Sequence, residues 1–221
     1  MLREASPDLD RTVAELRRSL PPRAPVLTVP SVRARDWMEV VRGVVLPLGL
    51  ASSRFHVDWF GDYVESDRVM VRVLEGALAQ PHQSALLPAL EEAARSGASL
   101  AIASTDIDPP MLGMLLINSI KGTLRSFPLT PRPEAGRAAL DALAGIAGAK
   151  VGTAGPSALS LGAAGTLPRI IATLDWTVVV GDLPSAQTTT IGLIHVGGED
   201  IQHARARARA RSSRLDPRGQ A

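Results

Sequence analysis

The sequence predicts an α/β sheet, and three observations carry that reading. Between Gly97 and Val151 short apolar runs alternate with helical patterns as strand, helix, strand, helix, strand, the order that builds a sheet with crossover helices. Prolines and glycines stand at the starts and ends of those helical patterns. Further strand-like runs flank the stretch, notably Arg68 to Leu74 before it and Trp176 to Val180 after it.

Taken in order, Ser6-Pro7-Asp8 opens a helix that places Leu9, Val13, Leu16 and Leu20 on one stripe and stops at Pro21-Pro22. Val26 to Val29 is a strand. Arg33 to Glu39 is polar and reads as linker or a short helical turn. Val40 to Leu50 is apolar and extended, with Pro47 suggesting a sheet edge. Phe55 to Tyr63 gathers four aromatic residues, which favours a hairpin whose rings cover one end of the core. Val69, Val71 and Val73 alternate on one face of a half-buried strand.

Ser84 to Ser96 is an amphipathic helix. Leu86, Leu87, Leu90, Ala93 and Ala94 share an arc opposite Glu91, Glu92 and Arg95. Pro88 is tolerable there only near the first turn, and Gly97 ends the helix. Ser99 to Ala103 is the next strand. Asp108 with Pro109-Pro110 then supplies an N-cap and first-turn prolines for a helix over Met111 to Lys121. Thr123 to Phe127 is a short strand, Arg137 to Ile146 a helix ended by Gly148, and Val151 the start of another apolar piece. Leu159 and Leu161 anchor a Gly-, Ala- and Ser-rich stretch. Thr166 to Leu174 is expected to be a short helix, Trp176 to Val180 a strand, Gly181 to Gln187 a turn and Thr188 to Val196 the last strand. Gly197-Gly198 leads into an Arg-rich helix.

The helix over Met111 to Lys121 is unusual. Met111, Leu112, Met114, Leu115, Leu116, Ile117 and Ile120 fall all around its axis. Such a helix is either enclosed between layers or carries an adhesive outer face, and pattern alone favours enclosure.

Composition narrows the function. A chain of 221 residues that is 45% hydrophobic can bury a real core. No apolar run approaches the ~18 residues of a membrane helix, and Met1 to Asp10 has no secretion-type apolar region. Cysteine is absent, which removes disulfides, thiolate metal sites and cysteine nucleophiles and fits a cytoplasmic protein. The net charge is +2, but six arginines against Asp216 alone lie from Gln202 onward. No aromatic residue interleaves with them, so a nucleic-acid partner is disfavoured, and no membrane partner is expected.

Catalytic motifs are scarce. There is no G-x-x-x-x-G-K-[ST] loop and no G-x-S-x-G elbow, and Gly148 to Gly155 lacks G-x-G-x-x-G spacing. His56, His82, His195 and His203 are scattered. Asp106 and Asp108 follow a strand, where metal-binding or phosphoryl-transfer carboxylates often sit, but Asp108 serves equally as a helix cap.

Ordered pieces of the chain go further. Leu112, Leu115 to Gly122 follow the form L-x-x-L-V-V-N-T-x-R-G, and Pro131 to Gly136 precedes Arg137, Leu140, Leu143 and Ile146. Arg42 to Leu48 parallels R-G-Y-L-S-P-Y, and Leu87 to Glu91 parallels L-P-V-L-E. Gly165-Thr166-Leu167 through Val178-Val179-Val180 parallels A-T-L-x-x-L-G-x-A-x-x-V-V-I. Ser6 to Leu16 with Val26 to Val29, and Ile194 to Gly198 with the Arg-rich segment, parallel a helix with V-I-T-V and I-K-V-G-A with a basic helix. Together these resemble the group I chaperonin (GroEL-like) family over about residues 6–215, as an apical domain plus parts of the intermediate domain.

The resemblance implies a layered β/β/α apical-like polypeptide-binding domain over 39–185. It implies a small α+β intermediate-like segment from 1–38 and 186–215, with 216–221 a disordered tail. It implies no enzyme and no cofactor. The family's equatorial ATPase has no counterpart here, its G-D-G-T-T-T loop is absent, and Ser213 stands where its catalytic aspartate would. It implies a groove between two helices that takes exposed hydrophobic segments of non-native polypeptides. Val44, Leu48, Leu87, Leu90, Leu112, Leu116, Ile117, Asn118 and Lys121 would line it. Val44 and Leu48 replace two family tyrosines, and Gly49 a phenylalanine. Met111, Met114 and Leu115 would pack on the sheet. The alternatives are a dedicated interaction module that regulates or joins a chaperonin or co-chaperonin, and a metal-dependent α/β enzyme using Asp106 and Asp108.

Overall fold

The computed structural model describes residues 7–30, 36–55, 63–156, 158–183 and 188–196, with single positions 186 and 206. In chain order the elements are α1 (Pro7–Ser19), β1 (Val26–Pro30), β2 (Trp37–Leu46), β3 (Leu48–Leu50), β4 (Tyr63–Leu78), α2 (Gln83–Ser96), β5 (Ser99–Ile107) and α3 (Pro109–Ile120). They continue with β6 (Ser126–Pro131), α4 (Gly136–Ala147), β7 (Val151–Ala154), β8 (Leu159–Ser160), β9 (Gly165–Thr173), β10 (Thr177–Val180) and β11 (Thr189–Val196). The fold is mixed α/β, as the alternation of patterns predicts. The described residues divide into two compact units: those up to Gly43 with those from Ala186 onward, and those from Val44 to Leu183. Most of the aromatic stretch after Phe55, Gly197-Gly198 and nearly all of the Arg-rich tail, Ser213 included, lie outside the described residues.

In the first unit β1 runs parallel to β11, and β11 antiparallel to β2. Val13 and Leu16 of α1, with Leu20 just beyond its end, pack with Ile194 and Val196 of β11, as their common stripe requires. Gly192 lets the helix approach, because a Cβ there would stand 2.7 Å from the Leu20 side chain and 2.9 Å from that of Leu16. One reading needs correction. Trp37 to Glu39 belong to β2 and are not linker, because their register partners on β11 hold them. Trp37 pairs with His195 and stacks on its ring at 3.6 Å. The buried His195 donates through Nε2 to the Glu39 carboxylate at 3.0 Å.

The second unit is built on β4, β5 and β6, which run parallel. Two crossovers, β4–α2–β5 and β5–α3–β6, step in the same direction across the sheet. The right-handed rule for such connections therefore puts α2 and α3 on one face. The chain then returns through α4 to β7, which pairs with β4 at Val73 to Gly76, so α4 covers the opposite face. Covered on both sides, the strands lose alternation. Leu100 to Ala103 are all buried, and Met70 and Leu74 are buried as well as Val69, Val71 and Val73. The strand expected to be half-buried is therefore a central one.

Two other assignments change. Gly165 to Thr173 is strand β9 rather than a helix. It is held between β4 and β10 by antiparallel ladders on both edges, and its Thr166, Ile170, Ile171 and Thr173 suit a pleated surface. The strand expected at Thr123 to Phe127 begins only at Ser126 and runs to Pro131. Gly122, at φ 68, ends the preceding helical turn, and a loop follows. The helix ends at Gly97 and Gly148 match expectation, both in the left-handed conformation. Pro88 lies in the second turn of α2, beyond the first turn that suits it best.

The sheet of this unit curls. β3 pairs antiparallel with β6, forms the edge that Pro47 foretells, and lies against β9. The closure is specific: Thr177 donates its hydroxyl to the Leu48 carbonyl at 2.8 Å, and Gly49 meets the Leu174 carbonyl so closely that a Cβ would collide with it. A second tie is made by the buried His82. Its Nδ1 accepts from the Ala79 N–H at 3.0 Å, so the proton lies on Nε2, which donates to the Gly155 carbonyl at 2.6 Å.

Gly49→Ala should destabilise the protein by about 2 kcal/mol or more, because the obstacle is main chain and cannot rotate away. Gly113→Ala, in α3 with open space around it, should instead stabilise by about 0.5–1 kcal/mol. Urea unfolding of both variants checks the contrast; a harmless Gly49→Ala would mean that the curl is loose.

Candidate functional site

The candidate site is the outer surface of α2 and α3. α3 is placed firmly at both ends. Asp108 caps it, one carboxylate oxygen accepting from the Met111 N–H at 2.8 Å. The other oxygen accepts from the Gln80 N–H at 2.8 Å, tying the helix start to the turn before α2. At the far end the buried Ser119 hydroxyl donates to the Ser126 carbonyl at 3.0 Å and accepts from the Ser126 N–H at 3.2 Å. Between these anchors Met111 and Leu115 are buried, and Leu112, Met114 and Leu116 are partly covered against the core.

The remaining apolar residues of α3 stay open. Ile117 is 53% exposed and Ile120 71%. Full enclosure, which the all-round pattern favours, does not occur. Across on α2, Leu87 is 44% exposed. These are three of the four large hydrophobic side chains exposed among the described residues.

The nine residues named from sequence separate into two groups. Leu87, Leu112, Leu116, Ile117, Asn118 and Lys121 are at least partly accessible. Asn118 donates through Nδ2 toward the Met114 sulfur at 3.7 Å, and Lys121 is exposed beyond the last turn. Val44, Leu48 and Leu90 are core residues. For them a role in lining an open surface is corrected: Val44 and Leu48 sit in strands that the curled sheet covers, and Leu90 lies on the sheet-facing side of α2. Ile120 was missed. Its signal was present, since it lies one turn beyond Ile117 and Leu116 at the exposed end of the helix.

Asp106 and Asp108 do structural work. Asp106 accepts from the Ile107 N–H at 2.8 Å, and both oxygens of Asp108 are occupied by backbone N–H groups. Among the described residues no group of three or more His, Cys, Asp or Glu side chains is placed to hold a metal ion. No helix among them is long and apolar enough to cross a membrane.

Comparison with known proteins gives a consistent picture. No protein-family model matches the chain. It is 30% identical over 174 residues to chaperonin GroEL 1 of Mycobacterium ulcerans, a match spanning 71% of this chain and 30% of that protein. It is 32% identical over 88 residues to chaperonin GroEL 3 of Protochlamydia amoebophila, covering 40% of this chain and 16% of that protein. In fold it is similar to the chaperonin gp146 of bacteriophage EL, with a TM-score of 0.57 at 13% identity, covering 95% of this chain and 48% of that one. The chain thus spans less than a third of the curated relatives it matches.

If Asp108 is a cap, Asp108→Ala should lower stability by about 1–2 kcal/mol, and Asp108→Asn, which keeps one acceptor oxygen, by less. Thermal unfolding followed by circular dichroism measures both, and an unchanged midpoint for Asp108→Ala would contradict the capping role.

Proposed function

We propose that this GroEL-like chain is an ATP-independent, chaperonin-like binder of exposed hydrophobic segments of non-native polypeptides, acting through the outer surface of α2 and α3. The observation that carries it is the outward exposure of Leu87, Ile117 and Ile120 on two helices of one sheet face. Water-facing isoleucines on an anchored helix are costly to leave bare, and a surface of this kind takes apolar side chains without reading their sequence. Leu112 and Leu116 border it, and Asn118 and Lys121 give it polar edges.

On this reading residues 39–185 are the apical-like binding domain, and 1–38 with 186–215 the intermediate-like segment. The protein is not an enzyme. The 221 residues contain neither a Walker-type phosphate loop nor the family's G-D-G-T-T-T, which supports binding without nucleotide. A second reading, a dedicated module that joins or regulates a chaperonin or co-chaperonin, draws on the chain's similarity to chaperonins.

A light-scattering assay with a chemically denatured client separates them. The protein should suppress aggregation equally with and without ATP. Ile117→Asp with Ile120→Asp should remove most of that suppression while shifting the melting temperature little, since exposed positions change stability by about 0.5 kcal/mol. Undiminished suppression by the double variant would sink the proposed surface. No suppression by the wild type, together with co-sedimentation with purified GroEL, would establish the dedicated module.

A further inference from the structure

The chain has no cysteine, so its methionines carry all of its side-chain sulfur. Met70 and Met111 are buried, at 8% and 1% exposure. Met38 is partly covered in the first unit. On α3, Met114 differs from its neighbour Met111: it packs against the core but keeps part of its surface accessible. It stands three residues before Ile117 and four before Asn118, so it lies on their side of the helix. The thioether is therefore at the margin of the apolar surface and not beneath it.

The sulfur has a polar neighbour. Asn118 directs its Nδ2 donor at the Met114 sulfur, 3.7 Å away. A thioether is only a weak acceptor, whereas Asn118 is itself partly open to water. A sulfoxide oxygen in the same place would be a strong acceptor. The pair is better matched to the oxidised side chain than to the reduced one.

We infer that Met114 is a modification site, oxidised by hydroperoxides to methionine sulfoxide, and that this change switches the surface beside Ile117 from apolar to polar. In the step with hydrogen peroxide, a sulfur lone pair attacks one peroxide oxygen. The S–O bond forms as the O–O bond breaks. The sulfur is oxidised by the loss of an electron pair, and the departing hydroxide takes the proton of the transferred oxygen and leaves as water. Asn118 then donates to the new oxygen. Methionine sulfoxide reductases reverse such a change. The inference rests on the proposed binding of hydrophobic segments and gives that surface a regulation: an apolar segment lying there must strip water from the sulfoxide.

Dilute hydrogen peroxide followed by peptide mapping in a mass spectrometer tests the chemistry without reference to binding. Met114 should gain an oxygen about tenfold faster than Met70 and Met111, because oxidation follows access to the sulfur. The Asn118 side-chain amide protons should move downfield in the NMR spectrum as their acceptor changes from sulfur to oxygen. In the light-scattering assay, half-suppression of aggregation of the denatured client should need about tenfold more oxidised protein than untreated protein. Met114→Leu, a volume-conserving change, should suppress equally before and after peroxide. Circular dichroism should show the same helix content throughout. Oxidation of Met114 as slow as that of Met70 and Met111, an unmoved Asn118 amide, unaltered suppression, the same loss in Met114→Leu, or a loss of helix each overturns the inference and leaves the binding surface standing. Absence of suppression by the untreated protein removes the binding reading and this inference with it.

Discussion

The constraint on which the second unit depends is that its central parallel strands must be covered on both faces. Over Leu100 to Ala103, β5 has no side open to water: these residues are buried, with β4 on one side and β6 on the other. Parallel neighbours require crossovers, and the handedness of those crossovers sends α2 and α3 to one face and the return helix α4 to the other. The location of the candidate site follows from this. α2 and α3 spend their inner sides on the sheet, through Leu86, Ala89, Leu90 and Ala93 on one and Met111 and Leu115 on the other. Whatever apolar residues remain must point outward.

The helices were legible in the sequence because their ends are written in local chemistry. Asp108 with two prolines starts α3, and Gly97 and Gly148 stop α2 and α4. The strands were less legible where tertiary pairing overrides local preference. Residues 165–173 contain Leu167 and Arg169, which suit a helix, yet two ladders claim the segment as a central strand. The extension of β6 to Pro131 has a similar origin: Pro128 and Pro131 discourage a strand locally, but β5 and β3 pair with it regardless.

For the candidate site, the resemblance pointed to α2 and α3 but did not separate their exposed residues from their buried ones. Val44, Leu48 and Leu90 are apolar like Ile117, and nothing in their local sequence distinguishes a core position from a surface one. For Leu48 the difference arises from the curl of the sheet, which brings β3 against β9 and depends on a glycine carrying no side chain at position 49. That contact is between residues 125 apart in sequence and leaves no periodic trace. By contrast, the outward position of Ile120 could have been read from helical phase. Asp106 and Asp108, which looked like a candidate catalytic pair, are explained by hydrogen bonds to nearby backbone.

The two polar anchors of α3 have a consequence for how its outer surface can change over time. The helix is fastened at its start by Asp108 and at its end by Ser119, and its inner side is fastened by Met111 and Leu115. Ile117 and Ile120 add little to that attachment. Their identities can therefore drift while the scaffold beneath is inherited intact, and under the proposed role the range of segments accepted would broaden or narrow with them. On the proposed reading, folding and recognition are separate traits in this helix, carried on opposite sides of one short stretch of chain.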